Sequence, residues 1–235
     1  MVPHLERAGH RVHVPDLPAH GTQWRWLRGR TTLQQMARTV CKLLDTLPEP
    51  ALLVAHSRGG IVASTVAEMR PDKAAACVYL AAYLLRDGER VADYFRQDKD
   101  SLVRRHIQIS CRTLTDSLPP AARQATLYAD CDVADVALAH SLLTPEPSLP
   151  ALTRLRLTEA RYGRVARHYI ELTQDRAVTP ELQRRMVAQS PCASVQRIEA
   201  SHSAYSSQPA ALSTAIGRIA LHQRPEGKQT QARDA

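Results

Sequence analysis

The hydrophobic positions change period along the chain, and each change predicts an element. Leu5 and Ala8 fit the last turns of a helix that Gly9 ends. Residues 11–17 then alternate, with Val12 and Val14 on one face, which predicts a strand. Pro18 to Gly21 read as a turn. Thr32 and Gln35 have capping-box spacing, and behind them Leu33, Met36, Ala37, Val40, Leu43, Leu44 and Leu47 share one helical face. Pro48 and Pro50 stop that helix. Residues 52–54 are an apolar run that predicts a short buried strand. Ile61, Val62, Thr65, Val66 and Met69 follow at helical spacing, up to Pro71. Residues 74–82 form a third buried strand. Strand and helix thus alternate over residues 1–82, the signature of a parallel sheet covered on both faces.

Residues 86–165 break this rhythm. Residues 91–109 are charged and read as helical, Leu118-Pro119-Pro120 as a loop, and residues 121–143 as mostly helical with Leu127, Tyr128, Val133, Val136 and Leu142 as anchors. An excursion of this size between two sheet strands predicts a helical cap over the active end. The alternation resumes with a strand at residues 165–172. Thr179-Pro180 starts a helix, residues 194–199 form a last strand, and Pro209 opens a final helix carrying Leu212, Ile216 and Ile219. The predicted organisation is a core from residues 1–85 and 166–222, a cap from 86–165, and a polar, disordered tail from 223–235.

Composition narrows the class. Charged residues make up 23% and hydrophobic residues 44%, as in a soluble globular domain. The net charge of +8 comes almost entirely from scattered arginines with acids among them. No basic stripe interleaved with aromatics appears, which argues against nucleic acid as a partner. Five dispersed cysteines without a Cys-x-x-Cys pair argue against a disulfide framework and for a reducing compartment, and no metal site is expected. No leader or membrane-length apolar run is present, so the expectation is a cytoplasmic protein that binds no membrane. A second copy of the chain, as a homodimer, is the macromolecular partner left open.

The candidate chemistry centres on residues 52–60, which end His56-Ser57-Arg58-Gly59-Gly60. A serine between a strand and a helix occupies a strained turn that small residues at Ala55 and Gly59 relieve. Such an elbow lifts Ser57 Oγ off the sheet and aims the Arg58 backbone N–H at a developing oxyanion. The same stretch also fits an ordinary strand-turn-helix with an exposed serine. Asp175 follows a later strand and His202 the last one. Parallel strands end on one sheet edge, so the three loops are expected to converge there. His202 would take the serine proton, and Asp175 would hold the imidazole. Asp130 and Asp132 are rival acids inside the cap, and His56 reads as structural. Tyr83, Tyr128 and Tyr205 are candidates for the substrate pocket. Trp24 and Trp26, with Arg25, Arg28 and Arg30, form a loop that would border a pocket or simply pack.

The serine-acid-histidine order is that of the α/β-hydrolases. From Val2 to about Ala220 the chain resembles the α/β-hydrolase family of plant methylesterases, hydroxynitrile lyases and related bacterial carboxylesterases. The resemblance rests on Gly9-His-Arg-Val, Pro15-Asp-Leu-Pro-Ala-His-Gly21, Val54-Ala-His-Ser-Arg-Gly-Gly60, Val78-Tyr-Leu-Ala-Ala82, Tyr128-Ala-Asp130, Tyr169-Ile170 with Asp175, and Ser201-His-Ser203. It implies an α/β-hydrolase fold, a mainly parallel sheet with an inserted cap. It also implies a serine esterase with Ser57, Asp175 and His202 as catalytic residues, acting on a small-molecule ester with no cofactor. Lyases of that family carry a lysine beside the catalytic histidine. Ser203 and Ala204 stand here, which favours ester hydrolysis.

The family's first strand and its His-Gly oxyanion loop have no counterpart before Met1. That strand would lie between residues 11–17 and the Ser57 strand. Losing one oxyanion donor costs on the order of 10²–10³ in rate, and each unpaired buried backbone group costs ~1–3 kcal/mol. The expectation is a natural protein that is longer, or else a differently closed sheet with weak or no activity. The alternative function is therefore a hydrolase-fold protein that binds a small ligand without turning it over.

Overall fold

The computed structural model describes residues 1–21 and 30–223. Trp24, Trp26, Arg25 and Arg28, and the polar stretch from Arg224 onward, lie outside the described residues.

Among the described residues seven strands form two sheets. They are β1 (Ala51–His56), β2 (Ala74–Leu80), β3 (Gln108–Ser110), β4 (Thr115–Ser117), β5 (Glu146–Pro147), β6 (Ala166–Leu172) and β7 (Ser194–Ile198). The larger sheet has the order β1-β2-β6-β7, and all its neighbours are parallel. Its register pairs Val54 with Val78, Val78 with His168, and Leu172 with Ile198.

Strand alternation divides the core into two layers. Cys77, Tyr79 and Tyr169 point to one face, against Leu33, Met36, Ile61, Val66, Leu182 and Met186. These residues belong to the helices Leu33–Asp45, Gly59–Met69 and Pro180–Gln189. Val78, Leu80, Ile170 and Leu172 point to the other face, against Leu212, Ile216 and Ile219 of the helix Pro209–His222 and Leu5 of the helix Val2–Arg7. Each large apolar side chain removed from water contributes ~1.5–3 kcal/mol.

The helix starts follow from their caps. Thr32 Oγ1 accepts from the Gln35 amide at 3.2 Å, and the Thr32 amide donates to Gln35 Oε1 at 2.8 Å. Thr179 Oγ1 accepts from the Leu182 amide ahead of Pro180. Each cap is worth about 1 kcal/mol.

Three expectations need correction. Residues 11–17 form no strand, and Val14 is 75% exposed. Alternation marks a strand-compatible segment, but a strand exists only where another backbone offers a ladder. Among the described residues β1 pairs with β2 alone, so no neighbour is available. For the same reason β1 is not fully buried: Leu52 and Leu53 are half-buried and Val54 is exposed. Finally, residues 86–165 are not purely helical. Short helices at Val91–Gln97, Leu102–His106, Pro120–Leu127, Val133–Leu142 and Leu149–Leu152 are joined there by the antiparallel sheet β3-β4-β5.

This excursion is tied to the core near Asp175. Asp98 accepts from the Thr179 amide and hydroxyl, Ser101 Oγ donates to the Ala177 carbonyl at 2.7 Å, and the Leu102 amide donates to the Arg176 carbonyl at 2.8 Å.

Candidate active site

The β1 strand ends at His56, and Ser57 turns sharply into the helix Gly59–Met69 with φ +53°. A non-glycine residue in this region is strained and persists only when its surroundings hold it. Here they do. The Ser57 amide donates to the Leu80 carbonyl at 3.2 Å, and the Ser57 carbonyl accepts from Tyr83 at 3.0 Å and Gly60 at 3.1 Å. The residue is stitched on both sides to the end of β2.

Sequence reasoning assigned the relief of crowding to Ala55 and Gly59. A Cβ on Gly59 would meet Ala55 Cβ at an ordinary 3.9 Å. The tight position is Gly60, where a Cβ would stand 2.4 Å from the Tyr83 carbonyl oxygen. The helix that follows leaves the Arg58 amide ahead of its first intrahelical bonds, at the electropositive end of the peptide dipoles.

Asp175 lies just past β6, and His202 lies past β7. Both are almost wholly buried. His202 Nδ1 donates to Asp175 Oδ2 at 2.7 Å. The other carboxylate oxygen accepts from the amides of Ala177 and Val178 at 2.7 and 3.1 Å. Gln183 Nε2 stands at 3.5 Å from Oδ2. The carboxylate is therefore fixed by backbone donors while one oxygen faces the imidazole. That fixes the tautomer and leaves Nε2 as the ring nitrogen able to accept a proton.

The rival acid Asp130 serves the neighbouring residue instead. It accepts from the Ser201 amide at 2.9 Å and from the Ser201 hydroxyl. Asp132 caps its own helix through the Asp135 amide. His56 Nε2 donates to the His202 carbonyl at 2.8 Å, and its ring lies 4.3 Å from the His202 ring and edge-on to Tyr205. Enclosure away from water, then the neighbouring His202, push its pKa well below the ordinary histidine value.

Ser57, Arg58, Tyr83 and His202 line one cavity of about 270 Å³. Ala177 and Val178 add to its floor. Its walls come from the excursion and are mostly apolar, including Val91, Phe95, Val103, Ile107, Leu118, Leu127 and Leu152. Of the three tyrosine candidates, only Tyr83 is among the lining residues. Tyr205 lies in the short helix Ala204–Ser207 and receives a hydrogen bond from Ser203 Oγ, and the Tyr128 side chain is hydrogen-bonded to Tyr205. Neither is among the residues that line the cavity. Burial raises the Tyr83 phenol and keeps it protonated.

Sequence reasoning used only the backbone of Arg58 and missed its side chain. The guanidinium reaches from the elbow to the excursion. Nη2 donates to Asp116 Oδ1 at 2.8 Å and Nη1 to Asp116 Oδ2 at 3.0 Å, and Glu146 stands 3.7 Å from Nε. An arginine directly after the nucleophile candidate was the one signal in the chain. Its partners are ordinary acids far away in sequence. Among the described residues no cluster of three histidine, cysteine or acidic side chains is arranged to hold a metal ion, and no helix is long and apolar enough to cross a membrane.

Residues 2–215 match the family model described as the alpha/beta hydrolase family. A chloroplastic protein of Arabidopsis thaliana provisionally named methylesterase 11 is 33% identical over 228 residues, which is 92% of this chain and 58% of that protein. The chain thus spans little more than half of that relative. Salicylic acid-binding protein 2 of Nicotiana tabacum is 30% identical, over 77% of this chain and 75% of its own. The solved structure of a pyrethroid hydrolase from Sphingobium faniae superposes with a TM-score of 0.84 at 26% identity, covering 94% of this chain and 90% of that one.

Proposed function

The chain belongs to the alpha/beta hydrolase family, and from that premise we propose that it is a serine hydrolase cleaving small carboxylic esters through an acyl-enzyme. The observation that carries this reading is that the strained Ser57 and the His202 held by the buried Asp175 line one and the same cavity.

On this reading Ser57 Oγ attacks the ester carbonyl carbon while His202 Nε2 takes its proton. Asp175 holds the imidazole through Nδ1 and stabilises the imidazolium. The negative charge gathers on the former carbonyl oxygen, where the Arg58 amide donates to it. The tetrahedral intermediate collapses, its C–O bond to the alcohol breaks, and His202 returns the proton to the departing alkoxide. Water then attacks the acyl-serine as His202 accepts its proton; the bond from the carbonyl carbon to Ser57 Oγ breaks, His202 returns the proton to Ser57 Oγ, and the acid leaves. Residues 86–165 act as the cap. They surround the reacting carbonyl with apolar walls, which strengthens the electrostatic interactions of the site. Ser203 and Ala204 follow His202, and among the described residues no lysine lines the cavity. This supports hydrolysis over cyanohydrin cleavage.

The test is labelling by a fluorophosphonate probe, with Ser57→Ala as control. The expected result is labelling that disappears in the variant, together with loss of p-nitrophenyl acetate turnover. A folded chain that takes no label, or equal turnover in Ser57→Ala, overturns the reading.

A further inference from the structure

Arg58 places a permanent cation in the wall of the cavity, one residue from Ser57. A free guanidinium there would be a ready receptor for a substrate carboxylate, since its fork matches that anion. The structure spends this fork internally. Both ends of it are bonded to Asp116 on β4, whose side chain is 9% exposed. Nη1 also donates to the Pro147 carbonyl at 3.4 Å, and Glu146 on β5 stands beside Nε. Ser148 Oγ donates to Asp116 Oδ2 at 2.9 Å, which fixes the carboxylate. The second cation of the wall, Arg123, donates Nε to the Leu118 carbonyl at 3.0 Å. Around Arg58 one positive charge meets two negative ones, so a further carboxylate brought there meets repulsion rather than a partner.

Resting on the esterase reading, we propose that Asp116 is a specificity-determining residue: by occupying the Arg58 guanidinium it makes the site select esters whose acyl and alcohol parts are both uncharged. The apolar walls bind such chains. Masking Arg58 removes the cation next to Ser57 that would favour monoesters of dicarboxylic acids or esters of hydroxy acids.

Asp116→Asn tests this, because it keeps the side-chain shape and one acceptor while removing the charge. Two matched pairs are compared by kcat/KM. On the acyl side they are p-nitrophenyl hexanoate and mono-p-nitrophenyl adipate. On the alcohol side they are butyl butyrate and the butyrate ester of 4-hydroxybutanoate. The expected result is that the charged-to-neutral ratio rises about tenfold or more in one pair, the scale of one charge-assisted hydrogen bond. Asp116→Asn with Glu146→Gln should raise it further. Adding Arg58→Gln should cancel the gain, which traces it to the guanidinium. Ratios unchanged in both pairs and in both variants overturn the proposal, even where Ser57-dependent turnover of the neutral esters stands. Absence of Ser57-dependent turnover and of fluorophosphonate labelling is a different result: it removes the esterase reading, and this proposal with it.

Discussion

Gly60 and Tyr83 approach so closely that a methyl group on Gly60 would stand 2.4 Å from the Tyr83 carbonyl oxygen and 3.0 Å from its amide nitrogen. The obstacle is backbone, and the same Tyr83 amide holds the Ser57 carbonyl. Gly60→Ala must therefore push the helix away from the end of β2 and loosen the elbow. The expected outcome is a loss of about 3 kcal/mol or more in urea unfolding, at the upper end of overpacking costs, and slow fluorophosphonate labelling. Gly59→Ala meets only Ala55 Cβ at 3.9 Å, so its stability should change by less than about 1 kcal/mol.

Asp175→Asn separates orientation from charge. Asn Oδ1 can keep the amides of Ala177 and Val178, so the loop should hold. Its NH2 group would then face His202 Nδ1 and force the proton onto Nε2, where it blocks acceptance from Ser57. The expected fall in kcat for p-nitrophenyl acetate is on the order of 10⁴, with unfolding nearly unchanged. A fall below tenfold would show that Asp175 does not set the tautomer.

Asp130 offers the matching contrast. Its carboxylate anchors the amide and hydroxyl of Ser201, the residue before the base. Asp130→Ala should cost about 1–3 kcal/mol of stability through the orphaned donors. Its effect on kcat should be far smaller than that of Asp175→Asn, because the imidazole keeps its own partner. Steady-state kinetics of the two variants side by side provide the check, and a reversed order would make Asp130 the working acid.

The His56 pKa, depressed by enclosure and by His202, makes stability depend on pH. Above about pH 6.5, the ordinary histidine value, His56 is neutral in the folded and unfolded chain. Below it the unfolded chain binds a proton that the folded chain refuses, so stability falls as pH falls. The slope is up to about 1.4 kcal/mol per pH unit for each such histidine. His168 adds to it, held down by burial and then by His222. In His56→Gln, urea midpoints between pH 7 and pH 5 should decline less steeply, by one proton's worth. Equal slopes would show that His56 titrates normally in the fold.

The strands and helices of the core were legible because their burial is two-sided or one-sided with a regular period. Residues 74–82 read as a buried strand because Ala76, Cys77, Val78, Tyr79 and Leu80 meet side chains on both faces. The elbow and the order of Ser57, Asp175 and His202 were legible for a topological reason, since parallel strands deliver their loops to one edge. Partnership was not legible. Val12 and Val14 alternate like a strand, yet periodicity says nothing about whether a second backbone lies alongside. The three-residue strands β3 and β4 are too short to show any period. The Arg58–Asp116 pair joins residues 58 positions apart, and neither acid differs in its local sequence from a solvated surface carboxylate.

Among the described residues, the proposed reacting set stands just past the ends of sheet strands, whereas the greater part of the cavity wall belongs to residues 91–152. On the proposed function, chemistry and selectivity thus fall to separate stretches of the chain. Side chains that only line the cavity, such as Phe95 and Leu127, can change without touching the stitching of Ser57 to β2 or of His202 to Asp175, whereas Asp98 and Ser101 also hold the loop after Asp175. On the proposed function, a combinatorial library confined to the lining residues among 91–152 would vary selectivity while sparing the Ser57 elbow.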